Sequence, residues 1–178
     1  MTDLNITWSE YHHKIETLAV KVYRSNWQFN QIVCLAKGGL RVGDIFCRLY
    51  DVPLAILSTA SYGGEDNRDR GKIQFSQHLS TIQPLGDKPD GMASLRILLV
   101  DDLVDSGISL TESLKWLQSR YGKNIADLRT AVIWYKSTSV EAPDYYVDYL
   151  ADNPWINQPF EKYEKTSIRE LADEFCKD

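Results

Sequence analysis

An α/β fold, a central mostly parallel sheet flanked by helices, is what this 178-residue sequence predicts. Two observations carry that expectation. Short β-branched apolar runs alternate with stretches of helical period, the pattern of parallel strands joined by crossover helices. Charged and small polar residues gather where those runs end, and in such sheets ligands bind at the carboxyl ends of strands. Length and an ordinary apolar fraction suit a single domain with a real core.

The elements follow in order. Ser9 to Arg24 places Ile15, Leu18, Ala19 and Val22 on one helical face, with Thr7 or Ser9 as cap. Gln31 to Ala36 reads as a short buried strand, Lys37-Gly38-Gly39 as a turn, and Leu40 to Tyr50 as a helix turning Val42, Ile45, Phe46 and Leu49 inward. Pro53 to Ser61 is the second strand. Residues 62–94 are rich in Gly, Asp, Arg, Pro and Ser and have no period, which reads as a flexible lid loop with a weak strand around Lys72 to Phe75. Leu95 to Val100 is the third strand; Ile108 to Tyr121 is a helix carrying Leu110, Leu114 and Leu117 on one face and stopped by Gly122. Arg129 to Tyr135 and Tyr145 to Tyr149 complete the strands. Ala151 to Tyr163 is aromatic and irregular, and Thr166 or Ser167 opens a polar C-terminal helix. The expected organisation is one domain over 1–178, with a core at about 6–150, a small hood at about 151–163 and the last helix at about 166–177.

Composition narrows the function classes. A net charge of -5 argues against non-specific nucleic-acid binding, which rests on phosphate neutralisation by Lys and Arg. The three cysteines, Cys34, Cys47 and Cys176, are odd in number and widely spaced, which fits neither a disulfide framework nor a zinc site. Cys34 and Cys47 lie in apolar runs and read as small hydrophobes, so a cytoplasmic, reducing compartment is expected. Met1 to Trp8 lacks the basic start and apolar core of a signal peptide, and no apolar run approaches membrane-spanning length. His12 and His13 lack metal spacing with other ligands and read as surface residues.

The most informative segment runs from Ile97 to Ser109. Two adjacent carboxylates, Asp101 and Asp102, sit where the third strand is expected to emerge. Asp105, Ser106, Gly107, Ile108 and Ser109 follow, and a helix begins. Paired acids suit sugar hydroxyls and a hydrated Mg²⁺. A small-residue turn opening a helix suits a phosphate, because its unpaired N–H groups and the helix dipole both point there. The alternative is a solvated acidic turn that only caps the helix. Lys37, Gly38 and Gly39, after the first strand, let a backbone approach a phosphate closely beside a positive charge, or form a plain strand-to-helix turn. Lys136 ends a strand and either donates to a carbonyl oxygen or is solvated. Trp155, held between Pro154 and Pro159, is a stacking platform for a planar base, or a plug over the core.

The acidic segment resembles the ribose-phosphate signature of type I phosphoribosyltransferases. From about Ile6 to Tyr163 the chain is similar to the bacterial and archaeal xanthine-guanine (6-oxopurine) phosphoribosyltransferases. The matching residues are Ile6-Thr7-Trp8, Ala36 to Leu40, Ser61-Tyr62, Asp101 to Gly107, Lys136, Pro143 to Val147 and Trp155 to Pro159. Position 108 departs from the family, which often carries Gly or Lys there, and the stretch from Gln74 to Leu95 is longer than the family's lid. That resemblance implies the type I phosphoribosyltransferase fold and transfer of the phosphoribosyl group from phosphoribosyl pyrophosphate to a 6-oxopurine, with Mg²⁺. It implies that Lys37, Gly38, Gly39 and Arg68 meet the pyrophosphate, with a cis peptide expected between Ala36 and Lys37. It assigns Asp101 and Asp102 to the ribose hydroxyls and Mg²⁺, with Asp148 as a second metal contact, and residues 105–109 to the 5-phosphate. Asp105 would accept the N7 proton, Lys136 would hold O6, Trp155 would stack on the purine, and the Ile156 backbone would read the group at C2. It also implies a homodimer or homotetramer. Two other classes compete: a same-fold enzyme with another base, and a regulatory protein that keeps the phosphoribosyl pyrophosphate pocket but reads nucleic acid.

Overall fold

The structure, a computed structural model, describes residues 3–61, 73–81, 85 and 94–176. In chain order the elements are strand β1 (Leu4–Asn5), helix α1 (Trp8–Arg24), β2 (Gln31–Ala36), α2 (Leu40–Tyr50), β3 (Leu54–Ser61), β4 (Ile73–Phe75) and β5 (Leu95–Val104). Then come α3 (Ile108–Tyr121), β6 (Ile125–Lys136), β7 (Tyr145–Leu150), β8 (Ile156–Asn157), α4 (Lys162–Lys165) and α5 (Ile168–Phe175). Two compact units are distinguished: Ile15–Asn153, and Met1–Lys14 together with Pro154–Asp178.

The larger unit is built on a six-stranded sheet in the order β4-β3-β2-β5-β6-β7. Neighbours from β3 to β7 run parallel, and only β4 is antiparallel, against β3. The run Gln31 to Leu35 is buried throughout, as a strand covered on both faces requires. Val33, Leu35, Ala55, Leu57, Ile97, Leu99, Leu110, Leu117 and Val132 form one apolar cluster. Leu79 and Leu85 join it, although both come from the stretch expected to be lid. Ile56 and Ser80 exchange backbone hydrogen bonds of 3.0 Å and tie that stretch to β3. Burying a leucine side chain contributes about 2 kcal/mol, enough to commit this part of the segment to the core.

Two expectations need correction. The third strand does not end at Val100. Asp101, Leu103 and Val104 stay on the ladder, opposite Val132, Trp134 and Tyr135, because β6 runs on to Lys136 and offers them partners. The acid pair therefore stands toward the carboxyl end of a central strand, past the last residue of β5 that pairs with β2 and still held in register by β6. Leu49 does not face inward; it is 60% exposed. The inner face of α2 is Val42, Gly43 and Phe46, and Tyr50 takes the next place. Its hydroxyl donates to the Ala19 carbonyl at 2.6 Å, and its ring packs on Phe29 and Phe46.

In the smaller unit β1 and β8 pair in parallel, Leu4 opposite Ile156 and Asn5 opposite Asn157. Thr7 caps α1 through a reciprocal box: its Oγ1 accepts the Glu10 N–H at 3.2 Å, and Glu10 Oε2 accepts the Thr7 N–H at 2.8 Å. Trp8, Tyr11 and Phe160 pack ring against ring. Ser167 and Glu170 form the same kind of box at α5.

Candidate active site

The carboxyl ends of β2, β5 and β6 converge, because β5 lies between the other two. β2 ends at Ala36, and the Ala36–Lys37 peptide bond is cis, as the resemblance implies. The chain then turns through exposed Lys37 into Gly38 and Gly39 before α2 begins. Both glycines are required by what they touch. A Cβ on Gly38 would run into the Asp102 carboxylate. One on Gly39 would stand 2.7 Å from the Val100 carbonyl oxygen and 3.1 Å from the Asp101 Cα. The turn therefore lies directly on the acid pair.

Asp102 is buried, Asp101 is partly buried, and Asp101 Oδ1 accepts the Asp102 N–H at 2.9 Å. Burial first, and the adjacent Asp102 carboxylate second, hold Asp101 well above the usual carboxylate range. After Val104 the chain bends through exposed Asp105 and Ser106 into Gly107. Gly107 has φ of 79°, the left-handed region that favours glycine, and a Cβ there would stand 2.8 Å from the Glu141 nitrogen. Ile108 and Ser109 open α3, and the Ile108 N–H reaches the Ser106 hydroxyl at 3.5 Å.

Lys136, the last residue of β6, is 4% exposed. Its ammonium lies 3.2 Å from Asp105 Oδ2. A buried cation and a half-exposed carboxylate thus stand side by side at the sheet's mouth: a donor next to an acceptor. In the smaller unit Trp155 is 59% exposed and Ile156 is buried. The Trp155 carbonyl accepts the Leu4 N–H at 2.8 Å and the Asn157 carbonyl the Ile6 N–H, just past β1, at 3.0 Å. Strand groups alternate sides, so the Ile156 N–H and C=O turn away from β1.

A family model described as the phosphoribosyl transferase domain matches residues 7–165. The chain belongs to the phosphoribosyltransferase family. It is 25% identical over 159 residues to the xanthine-guanine phosphoribosyltransferase of Idiomarina loihiensis, covering 89% of this chain and 86% of that protein. It is 26% identical over 162 residues to the protein of the same name from Gluconobacter oxydans, covering 88% and 83%. The solved xanthine-guanine-hypoxanthine phosphoribosyltransferase of Helicobacter pylori shares the fold, with a TM-score of 0.72 at 20% identity over 92% of this chain and 97% of that one.

Phosphoribosyltransferases of this family use phosphoribosyl pyrophosphate and a base. The donor set fits the Mg²⁺ that accompanies such a substrate. Mg²⁺ prefers one or two hard carboxylates and keeps its other positions for water and substrate phosphates. Asp101 and Asp102 are the pair that would hold it, and a divalent cation would offset their adjacent charge. Among the described residues no group of three or more His, Cys, Asp or Glu could hold a metal. Asp148 stands on β7 opposite Trp134, one strand beyond β6, and does not join the acid pair in such a group. Arg68, with Tyr62, Arg70 and Lys72, lies outside the described residues. No helix among the described residues is long and apolar enough to cross a membrane.

Sequence reasoning missed the loop after Lys136. Thr138 shares its hydroxyl between the Asp105 carbonyl at 3.2 Å and Asp105 Oδ1 at 3.4 Å. The Val140 N–H donates to the Ser106 carbonyl at 3.0 Å. The signal was present as three consecutive hydroxyl residues, Ser137-Thr138-Ser139, directly after a strand-end lysine.

Proposed function

We propose that this chain transfers the 5-phosphoribosyl group of phosphoribosyl pyrophosphate to N9 of a 6-oxopurine (guanine, xanthine or hypoxanthine) and releases pyrophosphate. The observation that carries this reading is the Lys136–Asp105 pair, donor beside acceptor at 3.2 Å. A 6-oxopurine carries a carbonyl oxygen at C6 next to N7–H, so one edge of the base offers an acceptor beside a donor. Adenine offers an amino group at C6 and would leave the buried ammonium facing another donor.

In this reading Lys136 donates to O6 and Asp105 accepts the proton from N7 while N9 bonds to ribose C1. The C1–O bond breaks and its electron pair leaves with pyrophosphate. Asp101 and Asp102 hold the ribose hydroxyls and Mg²⁺, which would neutralise charge on the departing group. Lys37 and, by the resemblance, Arg68 add positive charge there. Residues 105–109 hold the 5-phosphate, with backbone N–H groups and the Ser106 and Ser109 hydroxyls as donors. Trp155 stacks on the base and the Ile156 backbone reads its C2 substituent, the roles the resemblance assigns. Catalysis is then mostly positioning and electrostatics. A homodimer or homotetramer in the cytosol completes the reading; light scattering measures the first.

The test incubates the protein with phosphoribosyl pyrophosphate, Mg²⁺ and guanine, xanthine, hypoxanthine, adenine or uracil, and separates the nucleotides formed. The expected result is turnover of at least one oxopurine well above adenine and uracil. Turnover of adenine or uracil alone, or of no base, overturns the reading.

A further inference from the structure

We infer that Thr138 is a positioning residue for this transfer, its hydroxyl setting the plane of the Asp105 carboxylate. The inference rests on the proposed role of Asp105 as the N7 proton acceptor. The Asp105 side chain stands on a bend and is 54% exposed, so its carboxylate orientation depends on the polar groups that reach it. Two groups from one segment reach its two oxygens. Lys136 Nζ lies 3.2 Å from Oδ2. Thr138 Oγ1 lies 3.4 Å from Oδ1 and 3.2 Å from the Asp105 carbonyl oxygen. One contact leaves a carboxylate free to swing about it; two contacts on different oxygens define its plane.

The two contacts have different fates in the reaction. Lys136 turns part of its hydrogen-bonding capacity to the base when O6 arrives. Thr138 is not drawn to the base: both acceptors of its hydroxyl, the carbonyl and Oδ1, belong to Asp105, so it is the group that still holds Asp105 while the proton moves. Its own loop is braced to do so. The Ser139 hydroxyl donates to the Glu141 carbonyl at 2.6 Å and accepts the Glu141 N–H at 3.2 Å. The Ser139 N–H donates to the Lys136 carbonyl at 3.1 Å, and the Val140 N–H to the Ser106 carbonyl at 3.0 Å. Gly107 packs where a Cβ would strike Ser139, so the loop and the phosphate turn fit as one piece.

The test compares Thr138→Val, which keeps the shape and removes the hydroxyl, with Thr138→Ser, which keeps the hydroxyl. Both are made alone and on Asp105→Asn, and oxopurine kcat, KM for phosphoribosyl pyrophosphate and the thermal midpoint are measured. The expected result is a fall of about 10-fold in kcat for Thr138→Val with KM changed by less than about 2-fold, and recovery of most of it in Thr138→Ser. On Asp105→Asn, Thr138→Val is expected to cost nothing further, because its partner is already disabled. An unchanged kcat in Thr138→Val, a Thr138→Ser no better than Thr138→Val, or an equal loss on the Asp105→Asn background overturns the inference alone. Full turnover by Asp105→Asn overturns the role of Asp105 and this inference with it.

Discussion

The two ends of the central sheet treat charge in opposite ways. At the amino end, where β5, β6 and β7 begin, one carboxylate is met from several sides. Asp127 Oδ2 accepts the Trp27 indole N–H at 2.6 Å and lies 3.5 Å from Arg129 and 3.8 Å from Arg96. Both guanidiniums also lie over the Trp27 ring, Arg129 at 4.7 Å from its centroid, and Arg129 donates to the Tyr145 hydroxyl at 2.8 Å. At the carboxyl end Asp101 and Asp102 are adjacent and crowded by Gly38, with like charge beside like. One end joins opposite charges and holds strands together. The other sets like charges side by side, an arrangement that a divalent cation would offset. Asp101, raised by burial and by its neighbouring carboxylate, stands at the carboxyl end, where ligands bind in sheets of this kind.

That contrast can be broken from either end. Gly107→Ala combines a left-handed backbone with a Cβ 2.8 Å from the Glu141 nitrogen, and is expected to cost about 3 kcal/mol in urea unfolding. It should also cut kcat/KM for phosphoribosyl pyrophosphate by about 10-fold or more. Asp127→Ala should cost about 2 kcal/mol by the same measurement, with kcat of the folded enzyme nearly unchanged. A large kcat loss there would erase the division of labour between the two ends.

Asp101→Asn is expected to move stability the other way. Asp101 is raised above the usual carboxylate range, so the folded chain holds its proton more tightly than the unfolded chain does. Wild-type stability therefore falls as pH rises from the usual carboxylate range through the raised value. The substitution should raise the urea midpoint at pH 8 by a small margin that vanishes in acid, while weakening binding of phosphoribosyl pyrophosphate with Mg²⁺ in calorimetry.

The smallest effect expected is a silence. Burial, and then Asp101, push the Cys34 thiol from an ordinary 9.0 up to about 12, whereas Cys176 is exposed. A thiol reagent at pH 8 should label Cys176 and leave Cys34 untouched until the chain unfolds. The linkage has the same sign as for Asp101: the contribution of Cys34 to stability is lost as pH rises from 9.0 through about 12.

Much of this was legible in the sequence where a local pattern sufficed. The apolar run Gln31 to Ala36, the helices at 40–50 and 108–121, and the acid-serine-glycine turn all stand at their expected positions. What was not legible depends on partners distant in the chain. The extension of β5 through Asp102 to Val104 needs β6 to continue opposite it, which no window around residue 101 reveals. The pairing of β1 with β8 joins segments about 150 residues apart and only two residues long. Leu49 fits the helical spacing, but the chain had in Tyr50 a residue with a hydroxyl and a carbonyl to meet. Leu79 and Leu85 are isolated apolar residues in a polar stretch, and periodicity is blind to single plugs. Among site residues, Lys136 was legible as a strand end, but its contact with Asp105 joins that strand end to the bend after β5, which only the fold supplies.

The charge contrast has its sharpest consequence at Asp105, where the carboxyl end sets a carboxylate 3.2 Å from the Lys136 ammonium. The most direct measurement is oxopurine turnover by Asp105→Asn with Mg²⁺ and saturating phosphoribosyl pyrophosphate, alongside calorimetric binding of that donor. The expected result is a kcat lower by roughly 100-fold or more with donor affinity little changed. A variant that turns over at the wild-type rate would contradict proton acceptance at this carboxylate.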